Sequence, residues 1–164
     1  MVRGDIAEQR VDAVVNAADR RMRGGGGVDG ALHAAAGPGL LQECVQRFPH
    51  GLPTGEAGWT TGHRLPVRYV IHVVGPNHRA GETDRGLLVC CYANALRVAD
   101  ELEVRSIAFP LVSAGIFGWP REDAVAAAVD TLSSTPTQVR TGVLVAYGED
   151  AYADLTRHLG DAGR

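Results

Sequence analysis

Lysine is absent from the chain, and all 16 basic residues are arginine. That excludes Schiff-base chemistry and the lysine-bearing phosphate loop of Walker-type nucleotide binders. Aromatic residues make up only 5% of the chain and the formal net charge is −3. With no basic run interleaved with aromatics, nothing predicts general nucleic-acid affinity. The three cysteines, Cys44, Cys90 and Cys91, are odd in number and lack metal-ligand spacing. They read as free, mostly buried thiols in a reducing compartment. No segment approaches the roughly 20 apolar residues of a membrane span, and the N-terminus lacks the apolar core of a signal peptide. A cytoplasmic protein without membrane attachment is expected.

What remains is ordinary for a globular domain: 164 residues, 45% hydrophobic, with 21 glycines marking many tight loops. The size predicts one domain over 1–164. β-Branched runs predict buried strands at 11–15, 68–74, 104–109 and 139–147, with a further strand at 56–61. Helical periods cover 28–36, 40–48, 86–102, 122–132 and 150–159, and residues 77–83 read as an exposed loop. Strands alternating with helices imply a layered α/β domain with a mostly parallel sheet.

The chain is organised around residues 12–33. An apolar strand ends at Asn16, Gly24 to Gly27 follow, and a helix opens at Val28 and Asp29. Strand, glycine loop and helix start together suit phosphate, because the backbone can approach closely and its free N–H groups attract anions. A carboxylate in such a cradle repels phosphate, so Asp29 points to work on a neutral sugar or an attacking water. The alternative is a surface turn with Asp29 as a helix-capping acid. A second glycine loop, residues 113–120, also follows a strand, so both loops can face one crevice at the strands' carboxyl ends. Together they suggest a pyrophosphate held by backbone amides. A Rossmann dinucleotide site is the rival, but the first loop reads Gly-Gly-Gly-Gly-Val-Asp rather than Gly-x-Gly-x-x-Gly.

Several linked motifs closely resemble the macrodomain family: Gly4-Asp5-Ile6, Asp12-Ala13-Val14-Val15-Asn16-Ala17-Ala18, the glycine run through Val28-Asp29-Gly30, Arg68-Tyr69-Val70-Ile71-His72, and Gly115-Ile116-Phe117-Gly118. The glycine run with Val-Asp-Gly is similar to the MacroD-like branch, which includes hydrolases. The resemblance implies a three-layer α/β/α sandwich with a mixed, mostly parallel central sheet that binds ADP-ribose. It places Asp5 on the adenine amino group, the Ile6 backbone on the ring, and Tyr147 against the adenine face. Asn16 would line the ribose pocket. The amides of Gly25, Gly26, Gly27 and Val28, and of Ser113, Ala114, Gly115 and Ile116, would wrap the pyrophosphate, with Phe117 against the distal ribose. Asp29 is the implied catalytic residue, positioning or activating a water. No metal or cofactor is implied, and His33 and His72 read as structural histidines.

The implied activity is removal of mono-ADP-ribose from modified acidic side chains, together with deacetylation of O-acetyl-ADP-ribose. The alternative is a non-catalytic reader of ADP-ribose. The expected partner is ADP-ribose or an ADP-ribosylated protein, and a monomer is favoured. Three positions depart from the family pattern. Asp19 replaces the usual second asparagine of Asn-Ala-Ala-Asn, Ala114 stands where threonine is frequent, and His63 where tyrosine is frequent. An ionised Asp19 accepts but cannot donate. Near Asp29 the two carboxylates would raise one another's pKa, which either supplies a shared proton for acid–base work, making Asp19 a second catalytic candidate, or weakens binding.

Overall fold

A computed structural model describes residues 1–162, with side chains to 160. Six strands form one sheet: β1 (Val2–Arg3), β2 (Ala13–Ala18), β3 (Ala57–Thr61), β4 (Tyr69–Val74), β5 (Ser106–Phe109) and β6 (Thr141–Ala146). Their order is β1-β6-β5-β2-β4-β3. Every neighbouring pair is parallel except β3 with β4. Helices α1 (Gly27–Ala36), α2 (Pro38–Arg47), α3 (Arg85–Glu101), α4 (Arg121–Ser134) and α5 (Glu149–Ala162) complete the chain, with short 3-10 turns at Ile6–Glu8 and His78–Ala80. The latter turn lies inside the expected loop 77–83, where the Asn77 side chain caps it by accepting from the Ala80 N–H.

Alternation along the strands sorts the core into two layers, because successive side chains point to opposite faces. Ala13, Val15, Ile71, Val73, Ile107 and Phe109 face α3 and α4, and Leu155 of α5 joins them. Val14, Val70, Ala108 and Val145 face Leu32 of α1 and Leu40 and Cys44 of α2. The result is the expected three-layer α/β/α sandwich. Among the described residues no helix is long and apolar enough to cross a membrane.

Strand β2 outruns its expected end at residue 15 and continues to Ala18. Asn16 therefore lies inside the strand and is fully buried. It pairs in register with His72 on β4. A polar side chain is tolerated there because its amide finds partners within the same layer, as described below. The chain leaves the neighbouring strands β2 and β5 in opposite directions, toward β4 and β6 respectively. That divergence opens a crevice at their carboxyl ends.

Candidate active site

The crevice holds a cavity of about 510 Å³ lined at one end by Gly4, Asp5, Ile6 and Tyr147, and at the other by Gly27, Val28, Ala114 and Gly115. Its walls are mostly apolar, with Pro110 and Leu111 from the strand β5 exit and Ala31 from α1. The first turn after β1 is set by Asp5, whose Oδ1 accepts the Ala7 N–H at 2.8 Å. Asp5 thus caps a turn and borders the cavity at once. Tyr147 stands just past β6 and is 83% exposed, so its ring is free to cover a flat ligand.

The two glycine loops meet over this cavity. A β-carbon added at Gly26 would lie 2.8 Å from Ile116 Cδ1, so Ile116 lies close across the first loop and its tip would have to shift for any side chain there. Ile116 is otherwise 59% exposed, an apolar side chain used as a clasp. The start of the second loop is held from below: the Tyr92 hydroxyl of α3 donates to the Pro110 carbonyl and accepts from the Val112 N–H at 3.0 Å. Ser113 adopts φ +64°, unusual for a residue with a side chain, and its Oγ is buried without a partner. A β-carbon at Gly75 would strike that hydroxyl, so Gly75 is what makes room for it. Phe117 is half-buried, and its carbonyl accepts from the Arg79 N–H.

Asp29 sits in the first turn of α1, but the helix cap at Gly26 has no side-chain hydrogen bond, so Asp29 is not a capping acid. Instead it is buried, turned toward the sheet, with Oδ1 accepting from Asn16 Nδ2 at 2.8 Å and 3.3 Å from His33 Nε2. Its Oδ2 lies under Gly25, 3.3 Å from where a β-carbon there would stand. Asn16 Nδ2 also meets His72 Nδ1 at 3.1 Å, and His72 Nε2 meets Thr60 Oγ1 at 3.0 Å. Burial depresses the His72 pKa to about 4, so its ring is neutral at physiological pH. Nearby, burial raises the Cys44 thiol to about 11, which keeps it protonated.

Most of the expected site residues thus fall into two groups. Asp5, Ile6, Gly27, Val28, Ala114, Gly115 and Tyr147 line the cavity. Asn16, Asp29 and Gly25 lie together beyond the Gly26–Ile116 clasp. Asn16 is fully buried, with both amide hydrogens taken, so it supports Asp29 from behind. Asp19 faces its own turn. Its Oδ1 accepts the Arg21 and Met22 N–H groups at 2.9 and 3.2 Å, and its Oδ2 pairs with Arg21. His63 is drawn away to Glu43 on α2, at 2.8 Å. Among the described residues no group of three His, Cys, Asp or Glu side chains gathers as a metal site.

Sequence patterns passed over Arg121 and Ala151, which bring the starts of α4 and α5 to the cavity wall. No motif marks them, because helix starts become neighbours only through the sheet order. Tyr92 was equally silent, though an aromatic in the middle of an apolar helix stripe is a residue whose hydroxyl needs a partner.

The Macro domain family profile matches residues 15–128. A Macro domain-containing protein in the sno 5'region of Streptomyces nogalater is 47% identical over 166 residues, covering 99% of this chain and 92% of that protein. Human ADP-ribose glycohydrolase MACROD2 is 47% identical over 134 residues, covering 80% of this chain and 31% of that protein. Among solved structures, the Oceanobacillus iheyensis macrodomain with MES bound superposes with a TM-score of 0.93 at 36% identity, covering 98% of this chain and 90% of that one. The Trypanosoma brucei macrodomain in complex with ADP-ribose superposes with a TM-score of 0.88 at 38% identity, covering 96% of this chain and 67% of that one. Sheet order, paired glycine loops and these matches agree. The chain belongs to the Macro domain family, close to MacroD-type ADP-ribose glycohydrolases and bacterial macrodomains.

Proposed function

We propose that residues 1–164 form one macrodomain that binds ADP-ribose and hydrolyses mono-ADP-ribose from modified acidic side chains, with O-acetyl-ADP-ribose as a second substrate. The observation that carries the reading is Asp29. It is a buried carboxylate with one oxygen fastened by Asn16 and the other left without a hydrogen bond beneath Gly25. The relatives support it: MACROD2 is an ADP-ribose glycohydrolase, and the macrodomains of O. iheyensis and T. brucei are seen with ADP and with ADP-ribose respectively.

In this reading adenine lies between Asp5 and Tyr147, where the carboxylate accepts from the exocyclic amine and the ring stacks. The diphosphate crosses the amides of residues 25–28 and 113–116, at the N-terminus of α1, where free N–H groups and the helix dipole favour anions. The distal ribose then passes under the Ile116 clasp toward Asp29 Oδ2. A water held by that oxygen attacks the anomeric carbon. The bond to the target's carboxyl oxygen breaks with its electron pair, the carboxylate leaves as a stable anion, and the water's proton passes to Asp29. A general base works within about 2.6–3.2 Å of its proton, directly or through one water, so the clasp must admit the sugar before the geometry closes.

The test is release of ADP-ribose from a mono-ADP-ribosylated, glutamate-linked protein, with Asp29→Ala alongside. Turnover by the wild type, lost by at least about a hundredfold in Asp29→Ala with binding retained, supports the reading. The reader alternative draws on Asp19, whose carboxylate is closed into its own turn and offers no amide donor to the distal sugar. Calorimetry showing ADP-ribose bound without turnover would establish that reading instead. A dinucleotide redox role predicts NAD outcompeting ADP-ribose, and competition separates the two.

A further inference from the structure

We infer that His72, a strand residue that does not line the cavity, is a positioning residue that determines which carboxylate oxygen of Asp29 faces the substrate. The inference rests on the hydrolase reading above and concerns how its base is held.

The Asn16 amide has two hydrogens and both are committed, one to Asp29 Oδ1 at 2.8 Å and one to His72 Nδ1 at 3.1 Å. A carboxylate only accepts, so nitrogen rather than oxygen of the amide must face Asp29. His72 Nδ1 must then be the bare ring nitrogen. The ring proton falls on Nε2, which donates to Thr60 Oγ1 at 3.0 Å. Thr60, His72 and Asn16 are all fully buried, so water offers none of them another partner. The relay crosses β3, β4 and β2 and ends on the first turn of α1.

Its orientation comes at a cost, because Asn16 Oδ1 is left buried with no partner. Rotating the amide would not satisfy that oxygen: it would set it against two acceptors, Asp29 Oδ1 and the bare nitrogen of His72, and strand both amide hydrogens. The two acceptors therefore hold the amide in place from both sides. With Oδ1 of Asp29 hydrogen-bonded to Asn16 and 3.3 Å from His33 Nε2, Oδ2 is the oxygen presented beneath Gly25. If the acceptor on β4 is lost, one amide hydrogen is stranded in the core, the amide turns to find a partner, and Oδ1 is released. Ligand-binding amides on the glycine loops do not touch this relay, so the change falls on catalysis rather than affinity.

The experiment compares His72→Leu, which removes the acceptor, with His72→Asn, whose Oδ1 stands where Nδ1 stood. In the full chain, kcat is measured on mono-ADP-ribosylated protein and Kd for ADP-ribose by calorimetry. His72→Leu is expected to lower kcat by at least about tenfold, since a general base contributes about 10²–10⁴-fold. Its Kd should stay within about threefold, because only a transition-state interaction is lost. His72→Asn should recover most of kcat. Thr60→Val, a milder change, should redistribute the ring proton and lower kcat severalfold, which keeps the test open if the His72 variants fold poorly. Nitrogen NMR on the wild type without substrate should show His72 protonated at Nε2. Unchanged kcat in folded His72→Leu, equal loss in His72→Leu and His72→Asn, or a ring protonated at Nδ1 overturns the inference. A wild type that binds without turnover overturns the hydrolase reading instead, while the tautomer still decides whether the relay is arranged as described.

Discussion

Gly30→Ala isolates the first glycine loop from every side chain in the site. Gly30 lies in the first turn of α1, where a β-carbon would stand 2.6 Å from the Gly25 carbonyl oxygen. That obstacle is backbone, so it cannot swing aside; the loop must lift off the helix. Alanine gains about 1 kcal/mol of helix propensity over glycine, while overpacking costs about 1–3 kcal/mol, so net stability changes little. The loop amides, however, move away from the diphosphate. With ADP-ribose at 100 times its Kd, the wild type gains about 2.7 kcal/mol, or about 5–11 °C in Tm for a domain of this size. A tenfold loss of affinity leaves about 1.4 kcal/mol, or about 3–6 °C. Thermal unfolding with and without ADP-ribose reads this directly. Gly115→Ala is the steric control for stability, because nothing lies within 4 Å of its added carbon. A full ligand-induced shift in Gly30→Ala would refute the claim that close loop-to-helix contact shapes the site.

Three further outcomes follow from the same geometry. Tyr147→Ala should weaken ADP-ribose binding by about 1–3 kcal/mol in calorimetry while leaving Tm alone, since the ring is exposed and stacks only on a ligand. Tyr92→Phe should cost about 1–3 kcal/mol in denaturant unfolding, because the buried Val112 N–H loses its acceptor, and it should loosen the second loop. Stability should also fall on acidification: the folded chain resists protonating His72 down to about 4, whereas the unfolded chain takes that proton near 6.5. The contribution is full above pH 6.5 and disappears as pH drops toward 4, amounting to about 3 kcal/mol. Unfolding curves across that window should flatten in His72→Asn.

The layered fold was legible because buried parallel strands are written as β-branched runs and the helices as apolar periods between them. Strand β2 shows where such reading stops. A polar residue after Val15 looks like a strand end, yet Asn16 continues the strand because Asp29 and His72, 13 and 56 residues away, take its two amide hydrogens. Those partners exist only once β2 and β4 pair. The cavity-lining half of the site was readable as glycine loops and the Asp5 turn. The support behind Asp29 was not, since Thr60, His72 and Asn16 share no local motif, only one face of the sheet. Asp19 reads as a carboxylate standing near Asp29, and nothing in the sequence shows that its Oδ1 accepts the Arg21 and Met22 N–H groups of its own turn.

A crystal structure with ADP-ribose tests the central claim most directly. The account predicts the diphosphate against the amides of residues 24–29 and 113–118, with the distal ribose under Ile116 and facing Asp29 Oδ2. A diphosphate lodged elsewhere, or a terminal sugar turned away from Asp29 toward solvent, would contradict it.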